Sequence, residues 1–143
     1  MKICIFTESI DKKDGGPSRS VPILARGLAE VGLNVTLMTL KTDEMNTHLL
    51  DDSSVKLVTI APSASEKDFM LLLSEGGYDL IHSQCIWLPS YHKVAVAARN
   101  LKIPLIITPR GTLEPWSLEH KKWKKKLAMF LYQKKDLKRA ACI

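Results

Sequence analysis

Short apolar runs alternate along the chain with segments in which apolar residues recur at helical spacing. The runs lie at residues 2–7, 34–40, 55–60, 79–82 and 104–108, and the helical patterns between them lie at about 18–29, 65–75 and 88–101. Runs of this length are typical of strands that are buried on both faces of a parallel sheet. The sequence therefore predicts an α/β fold, a Rossmann-like parallel sheet with helices on both faces, in which the first and fourth strands are central.

A glycine pair stands between the first strand and the first helix, in the run Asp14-Gly15-Gly16-Pro17. A strand that enters a helix through a glycine turn presents free backbone N–H groups and the positive end of the helix dipole, and this arrangement binds phosphate. The alternative is that the glycines only make the bend, with positive φ, and that Pro17 is the first helical residue. A Gly-Gly pair by itself does not decide between these interpretations.

The last part of the chain is strongly basic. From Pro115 to about residue 140 the pattern predicts one helix, with Trp116, Trp123, Leu127, Phe130 and Leu137 on one stripe and most of the lysines on the opposite side. The net charge of the chain is +6, whereas residues 119–139 alone carry nine Lys/Arg, all from Lys121 to Arg139, against Glu119 and Asp136, so the rest of the chain is close to neutral. Two interpretations stay open: a solvated face opposite a core stripe, or a surface that contacts an anionic membrane. Nucleic acid is not expected, because no exposed aromatics interleave with the basic face.

The composition is that of an ordinary globular domain, with 143 residues, 45% hydrophobic and 25% charged. No apolar run reaches the length of a signal-peptide core or a membrane span, so we expect a cytoplasmic chain, with peripheral contact at the inner face of the plasma membrane left open. Cys4, Cys85 and Cys142 have no metal-binding spacing, and we expect buried free thiols. The sequence contains no metal-ligand set, GxGxxG run, GxSxG run or Walker lysine, so neither a metal nor a cofactor is predicted.

Three segments should meet at one edge of the sheet. They are residues 14–19 after the first strand, 82–87 after the fourth and 110–116 after the fifth. Ligands of open parallel sheets bind at the carboxyl ends of the strands, where the strand order reverses. A glycine turn together with an arginine, here Arg110, indicates a ligand that carries phosphate.

The residues of these segments resemble a known family. The run from Gly15 to Ala29, closing with Gly32 to Leu37, is similar to the opening of family 4 retaining glycosyltransferases, which have the two-domain GT-B architecture. Two later runs, Asp79 to His82 and Pro109 to Trp116, resemble a subgroup that assembles bacterial surface polysaccharides such as capsule or lipopolysaccharide. The resemblance covers essentially the whole chain, and Pro109 to Trp116 is its most specific part.

The resemblance implies that residues 1–143 are the amino-terminal, acceptor-side domain of a longer enzyme. The chain stops at Ile143 without a turn or cap, so we expect a truncated end, a missing carboxyl-terminal domain for the nucleotide sugar, and no activity of this part alone. The implied reaction transfers a sugar from a nucleoside diphosphate sugar to a hydroxyl of a glycan or a lipid-linked acceptor, with retention and without a metal.

The resemblance also implies roles for individual residues. Gly15 and Gly16 match the loop that contacts the donor phosphate, and His82 matches a histidine at the end of the fourth strand. Many relatives have a second histidine where this chain has Gln84, and a histidine where it has Arg110. We assign Arg110 a binding and charge-stabilising role, since arginine does not act as a base at neutral pH. Together with His82 it forms the catalytic pair, and the acceptor-binding candidates are Ser18, Arg19, Trp87, Gly111 and Glu114.

Each candidate has a structural alternative. His82 could be a core histidine, Trp87 a packing residue, Arg19 a solvated helix residue, and Glu114 the residue that caps a helix beginning at Pro115. For the whole chain the alternatives are a stand-alone nucleotide-binding or phosphate-binding module without catalysis, and a nonenzymatic surface binder that acts through the basic segment.

Overall fold

One five-stranded parallel sheet forms the centre of the molecule. The computed structural model describes residues 1–143. The strands lie side by side in the order β3-β2-β1-β4-β5, and their bounds are β1 Lys2–Thr7, β2 Asn34–Leu40, β3 Lys56–Ile60, β4 Leu80–Ser83 and β5 Leu105–Ile107. The predicted α/β class and the central position of the first and fourth strands are confirmed.

Helices cover both faces of this sheet. The three long helices are α1 Pro17–Glu30, α2 Glu66–Gly76 and α3 Pro89–Asn100, and the shorter ones are α4 Pro115–Glu119, α5 Lys122–Ala128 and α6 Lys134–Arg139. A 3₁₀ turn at Thr47–Leu50 lies in the polar segment 41–54, and a π-helical segment, Met129–Gln133, joins α5 to α6. No helix combines the length and apolar character that crossing a bilayer requires.

Alternate residues of β1 point to two separate cores. Ile3 and Ile5 pack with Val21 of α1 on one face, while Cys4 and Phe6 lie on the other face, which α2 and α3 cover. This is why the strand is apolar throughout. All three cysteines are free: Cys4 is buried and Cys85 half-buried, but Cys142 is exposed, so the expectation of buried thiols is wrong there.

The predicted single helix from Pro115 to residue 140 is wrong. His120 is extended and Lys121 has φ 53°, so the chain breaks between α4 and α5. The Lys125 ammonium spans the break, donating to Ser117 O at 2.5 Å and to Ser117 Oγ at 3.1 Å. It thus binds a carbonyl in the last turn of α4, where helix carbonyls lack intrahelical partners.

Of the two interpretations left open for this last part of the chain, the one with a core stripe is wrong. Trp116, Trp123, Leu127 and Phe130 are all exposed, and only Leu137 packs against the core. Polar residues occupy the inward face instead, namely Gln133 and Asp136. Beyond α6 the chain makes one parallel bridge to the sheet, between Cys142 and Ile106.

Candidate functional site

The glycine turn leads from β1 into α1. Gly16 has helical angles, φ −44° and ψ −44°, and Pro17 is the first helical residue, as the alternative interpretation of the turn has it. Neither Gly15 nor Gly16 has positive φ, and a Cβ on either would meet nothing within 4 Å. The positive-φ explanation is therefore wrong. Gly16 has a local reason to be glycine, because the helical region is disfavoured for a residue that precedes proline. At Gly15, neither the backbone conformation nor the packing requires a glycine.

The turn presents unpaired backbone donors at the start of a helix. The N–H groups of Gly15 and Gly16 donate to no acceptor in the folded chain, whereas those of Ser18 and Arg19 donate to the carbonyls of Gly15 and Gly16. The helix dipole adds partial positive charge at the same place. The turn can therefore accept an anionic group without rearranging its own hydrogen bonds.

Two buried side chains hold this turn in place. Ser18 Oγ lies 2.9 Å from Asp14 O and 3.0 Å from Gly15 O, to which it donates. Pro22 lacks an N–H, so it donates no helical hydrogen bond to Ser18 O, and the Nδ2 group of Asn46 donates to that carbonyl at 3.4 Å. The side chain of Ser18, a predicted acceptor contact, thus braces the turn while the residue also lines a cleft.

Arg110 lies at the centre of a tight turn after β5. Thr112 N donates to Pro109 O, and both central residues have positive φ, 51° for Arg110 and 75° for Gly111. Arg110 Nε donates to Gln84 Oε1 at 2.7 Å, and its Nη1 donates to Ser20 Oγ at 2.9 Å. The structure therefore joins the segments after β4 and β5 to the first turn of α1, while Nη2 has no protein partner.

His82 lies on the α1 side of the sheet, beside Ile5 of β1. It is half-buried, and its Nε2 is 2.8 Å from Thr108 Oγ1. Burial, and then the positive charge of Arg110, lower the pKa of His82 below its usual value. The imidazole is therefore neutral at neutral pH, so it can donate and accept hydrogen bonds or take up a proton, but it contributes no fixed charge.

A cleft of about 440 Å³ opens beside the glycine turn, at the ends of β1, β2 and β3. Gly15 and Ser18 line it, together with Asp14, Glu8 and the start of α3, but His82, Arg110 and Trp87 do not. Its lining contains two carboxylates and no lysine, arginine or histidine. The cleft therefore suits a hydroxyl-rich ligand that is neutral or positively charged, rather than a phosphate.

Glu8 is the carboxylate at the base of this cleft. Its Oε2 accepts from Ser90 Oγ at 3.0 Å, and its backbone N–H donates to Tyr91 Oη at 3.1 Å. Burial raises the pKa of Glu8; the negative charge of Asp14 raises it further, and the hydrogen bond from Ser90 opposes both. Glu8 is not among the residues predicted for the site, although it follows β1 directly and the carboxyl ends of parallel strands are where ligands bind.

Other predicted acceptor residues lie around the edge of the site. Trp87 has φ 80°, and its indole Nε1 donates to Thr112 O at 3.2 Å, so it links the turns after β4 and β5. Arg19 and Gly111 are exposed. Glu114 occupies the residue before α4, but its exposed side chain makes no capping hydrogen bond. The supporting roles of Ser20 and Gln84 follow from tertiary contacts and have no sequence signal.

The structure contains no group of three or more histidine, cysteine or carboxylate side chains that could hold a metal ion. The expectation of a metal-free reaction stays a prediction.

Comparison with known proteins decides the family. Residues 15–143 match the model of the glycosyl transferase 4-like domain. The chain belongs to this family. The matched region of this glycosyl transferase 4-like domain begins at Gly15 and contains every residue predicted for the site, whereas Glu8 precedes it. No curated protein matches the chain.

A solved structure has the same fold. It is that of a protein proposed to be a UDP-N-acetylglucosamine 2-epimerase from Listeria monocytogenes, with a TM-score of 0.56 and 11% sequence identity. The similar region covers 92% of the glycosyl transferase 4-like chain and 37% of the other protein. At this identity the likeness concerns the fold alone, and the chain spans a little more than a third of the length of the protein that it matches.

Proposed function

We propose that this chain is the acceptor-side half of a retaining glycosyltransferase with GT-B architecture. The complete enzyme transfers a sugar from a nucleoside diphosphate sugar to a hydroxyl of a glycan or lipid-linked glycan. One observation carries the proposal: the unpaired amides of Gly15 and Gly16 precede the helix turn to which Arg110 is bound. A second domain, which supplies the nucleotide site, completes the cleft.

The proposed chemistry places the departing diphosphate at the glycine turn. The bond between the anomeric carbon and the phosphate oxygen breaks, and its electron pair stays on the phosphate. The acceptor oxygen bonds to the same carbon on the same face, and its proton passes to the leaving phosphate. Amide N–H groups and the free Nη2 of Arg110 stabilise the charge that develops, which makes a metal unnecessary.

The cleft beside Glu8 is the proposed acceptor site. Asp14, Gly15 and Ser18 line this cleft, so an acceptor bound there lies next to the turn that holds the diphosphate, and its hydroxyl can reach the leaving phosphate. The carboxylates of Glu8 and Asp14 can accept hydrogen bonds from sugar hydroxyls. Their charge disfavours an acceptor that carries phosphate at this point.

The test is an activity assay of the complete reading frame that contains these residues. Nucleoside diphosphate sugars are supplied with neutral oligosaccharide or lipid-linked acceptors, with and without EDTA, and nucleotide release and the anomeric configuration of the product are measured. We expect EDTA-resistant transfer with retention. Absence of transfer to any acceptor would overturn the proposal, and inversion or EDTA sensitivity would overturn that part of it.

The alternative is a stand-alone module that binds a nucleotide or phosphate without catalysis. The free amides of Gly15 and Gly16 favour it, because they belong to this chain alone. Calorimetry with nucleoside diphosphates separates the two: the stand-alone module binds them measurably as the isolated 143 residues, whereas the half-enzyme binds them weakly or not at all.

A further inference from the structure

Large apolar side chains of the segment Lys122–Arg139 lie in solvent. The apolar stripe, as we call it, consists of Trp123, Leu127, Phe130 and Leu131, whose exposures are 67%, 50%, 85% and 62%. Backbone angles stay helical through the π segment, so the four residues belong to one helical surface. A contiguous exposed apolar surface on a folded protein marks a contact with another molecule or with a membrane.

The contacts on the opposite face hold the stripe outward. Trp87 N donates to Gln133 Oε1 at 2.9 Å, and Tyr132 Oη donates to Trp87 O at 2.5 Å. Asp136, which is only 2% exposed, accepts from His92 Nδ1 and Arg99 Nη1, both at 2.6 Å. If segment Lys122–Arg139 rotated to bury the stripe, these buried polar groups would lose their hydrogen-bond partners. That loss would cost more free energy than the burial of one apolar side chain gains.

The π-helical segment Met129–Gln133 also separates an exposed apolar face from a buried polar face. Phe130 and Leu131 are both exposed, while the next two residues, Tyr132 and Gln133, both contact Trp87. A π turn adds one residue to a helical turn and is frequent at functional sites. Here it places two bulky apolar residues side by side on the outer surface.

Lysines surround the stripe and are nearly all free of acidic partners. Lys122 pairs with Glu119 at 2.8 Å, whereas Lys124, Lys126, Lys134, Lys135, Lys138 and Arg139 are exposed and have no carboxylate within salt-bridge distance. The acid within the helix, Asp136, is buried against α3. The outer surface is therefore apolar along its middle and positively charged around it.

We propose that the apolar stripe lies in the interface of an anionic lipid bilayer, with Trp123 and Phe130 between the headgroups and the lysines on the lipid phosphates. A second copy of the chain fits less well, because the two lysine sets would face each other. Single-stranded nucleic acid fits less well too, because Leu127 and Leu131 interrupt the aromatic surface on which bases stack. The proposal is independent of the glycosyl transfer proposed above.

The test is binding to vesicles of phosphatidylcholine with or without phosphatidylserine, by co-sedimentation. It uses both the complete reading frame and the 143-residue chain. We expect both to bind only the anionic vesicles, with a shift of tryptophan emission to shorter wavelength and a steep loss of binding as salt rises. The double variant Trp123→Ser, Phe130→Ser should bind at least about tenfold more weakly.

Matched controls separate the stripe from apolar exposure in general. The double variant Ile23→Ser, Leu71→Ser changes two other exposed apolar residues, at 58% and 57%, which lie on α1 and α2. It should bind vesicles like the wild type, and thermal unfolding should show that both double variants are folded.

Four outcomes would overturn the proposal. The first three are no binding to anionic vesicles at low salt, equal binding to neutral vesicles, and undiminished binding of the Trp123→Ser, Phe130→Ser variant. The fourth is binding by the 143-residue chain but not by the complete reading frame, which would mean that another part of the protein covers the stripe. Dimerisation or oligonucleotide binding that the stripe variant abolishes, without vesicle binding, would assign the surface to those partners instead.

Discussion

Arg110 Nε donates to Oε1 of the fully buried Gln84 at 2.7 Å. This contact fixes the orientation of the amide and leaves Gln84 Nε2 buried without a hydrogen-bond partner. An unpaired buried donor costs about 1–3 kcal/mol, and the positive φ of Arg110 costs a similar amount. These two costs accompany the placement of a guanidinium at the carboxyl edge of the sheet, where a preorganised charge would stabilise the leaving group of the proposed transfer.

If the proposed function is right, Arg110→Gln should lower kcat/KM of the complete enzyme by about 10²–10³-fold, because it removes the charge proposed to stabilise the leaving diphosphate. Arg110→Lys keeps the charge but not the planar fork that reaches Gln84 and Ser20 together, so it should restore only part of the activity. Steady-state kinetics checks both variants, and thermal unfolding shows that they are folded. Wild-type kinetics of Arg110→Gln would contradict the role.

Gly15→Ala should separate the binding role of the turn from its structural role. Nothing lies within 4 Å of the added Cβ and φ is not positive, so stability should stay the same or rise by about 0.4–1 kcal/mol. Activity of the complete enzyme should fall if the turn binds the donor phosphate as proposed, because the added methyl group would obstruct its close approach.

Gly16→Ala is the comparison for that variant. It should lower the free energy of unfolding, because alanine before Pro17 resists the helical angles that Gly16 adopts. Denaturant unfolding and kinetics of both variants check the two effects. If Gly15→Ala keeps full activity, Gly15 has no part in donor binding.

The His82 imidazole should titrate below pH 6.5, the usual histidine pKa, and this can be followed by the NMR shifts of its ring protons. Burial is the larger cause and the Arg110 charge the smaller one, so Arg110→Gln should move the pKa upward only part of the way. The stability linked to this depressed pKa is present above about pH 6.5 and is lost as pH falls through the folded value. A His82 that titrates above pH 6.5 would contradict the burial that the structure shows.

Glu8→Gln should change how stability depends on pH. The folded pKa of Glu8 is raised, so its contribution is fully present below the unfolded pKa of about 4.3 and is lost as pH rises through the folded value. The variant cannot ionise, and it should gain stability relative to the wild type between pH 4 and pH 7.5. Urea unfolding at both values measures this, and an equal difference at both would show that ionisation of Glu8 plays no part.

Asp136→Ala should destabilise the protein by about 2–3 kcal/mol, because it removes a buried carboxylate that binds His92 and Arg99. Arg26→Ala, which breaks the exposed pair between Arg26 and Glu30, is the control and should cost less than about 0.5 kcal/mol. Denaturant unfolding compares the two variants. Equal losses would mean that α6 does not depend on Asp136 for its position.

Local signals accounted for most of the fold. Apolar runs of strand length, with glycines and prolines between them, predicted all five strands within about two residues, and the alternation of strands and helices predicted the parallel sheet. They also predicted that the segments after strands one, four and five meet, which the contacts of Arg110 with Ser20 and of Trp87 with Thr112 bear out. These features depend on burial and backbone chemistry over a few neighbouring residues, so the sequence alone is enough to predict them.

The sequence by itself therefore determined the α/β sheet, its central strands and the glycine turn at the carboxyl edge. Tertiary structure alone decided the roles of Gln84, Glu8 and Ser18, and it decided which face of the basic helix is outward. Helical periodicity shows which residues share a face but does not say which face is inside. In this chain the buried contacts of Gln133 and Asp136 with Trp87, His92 and Arg99 outweigh the burial of the apolar stripe, because unpaired polar groups cost more than exposed apolar ones.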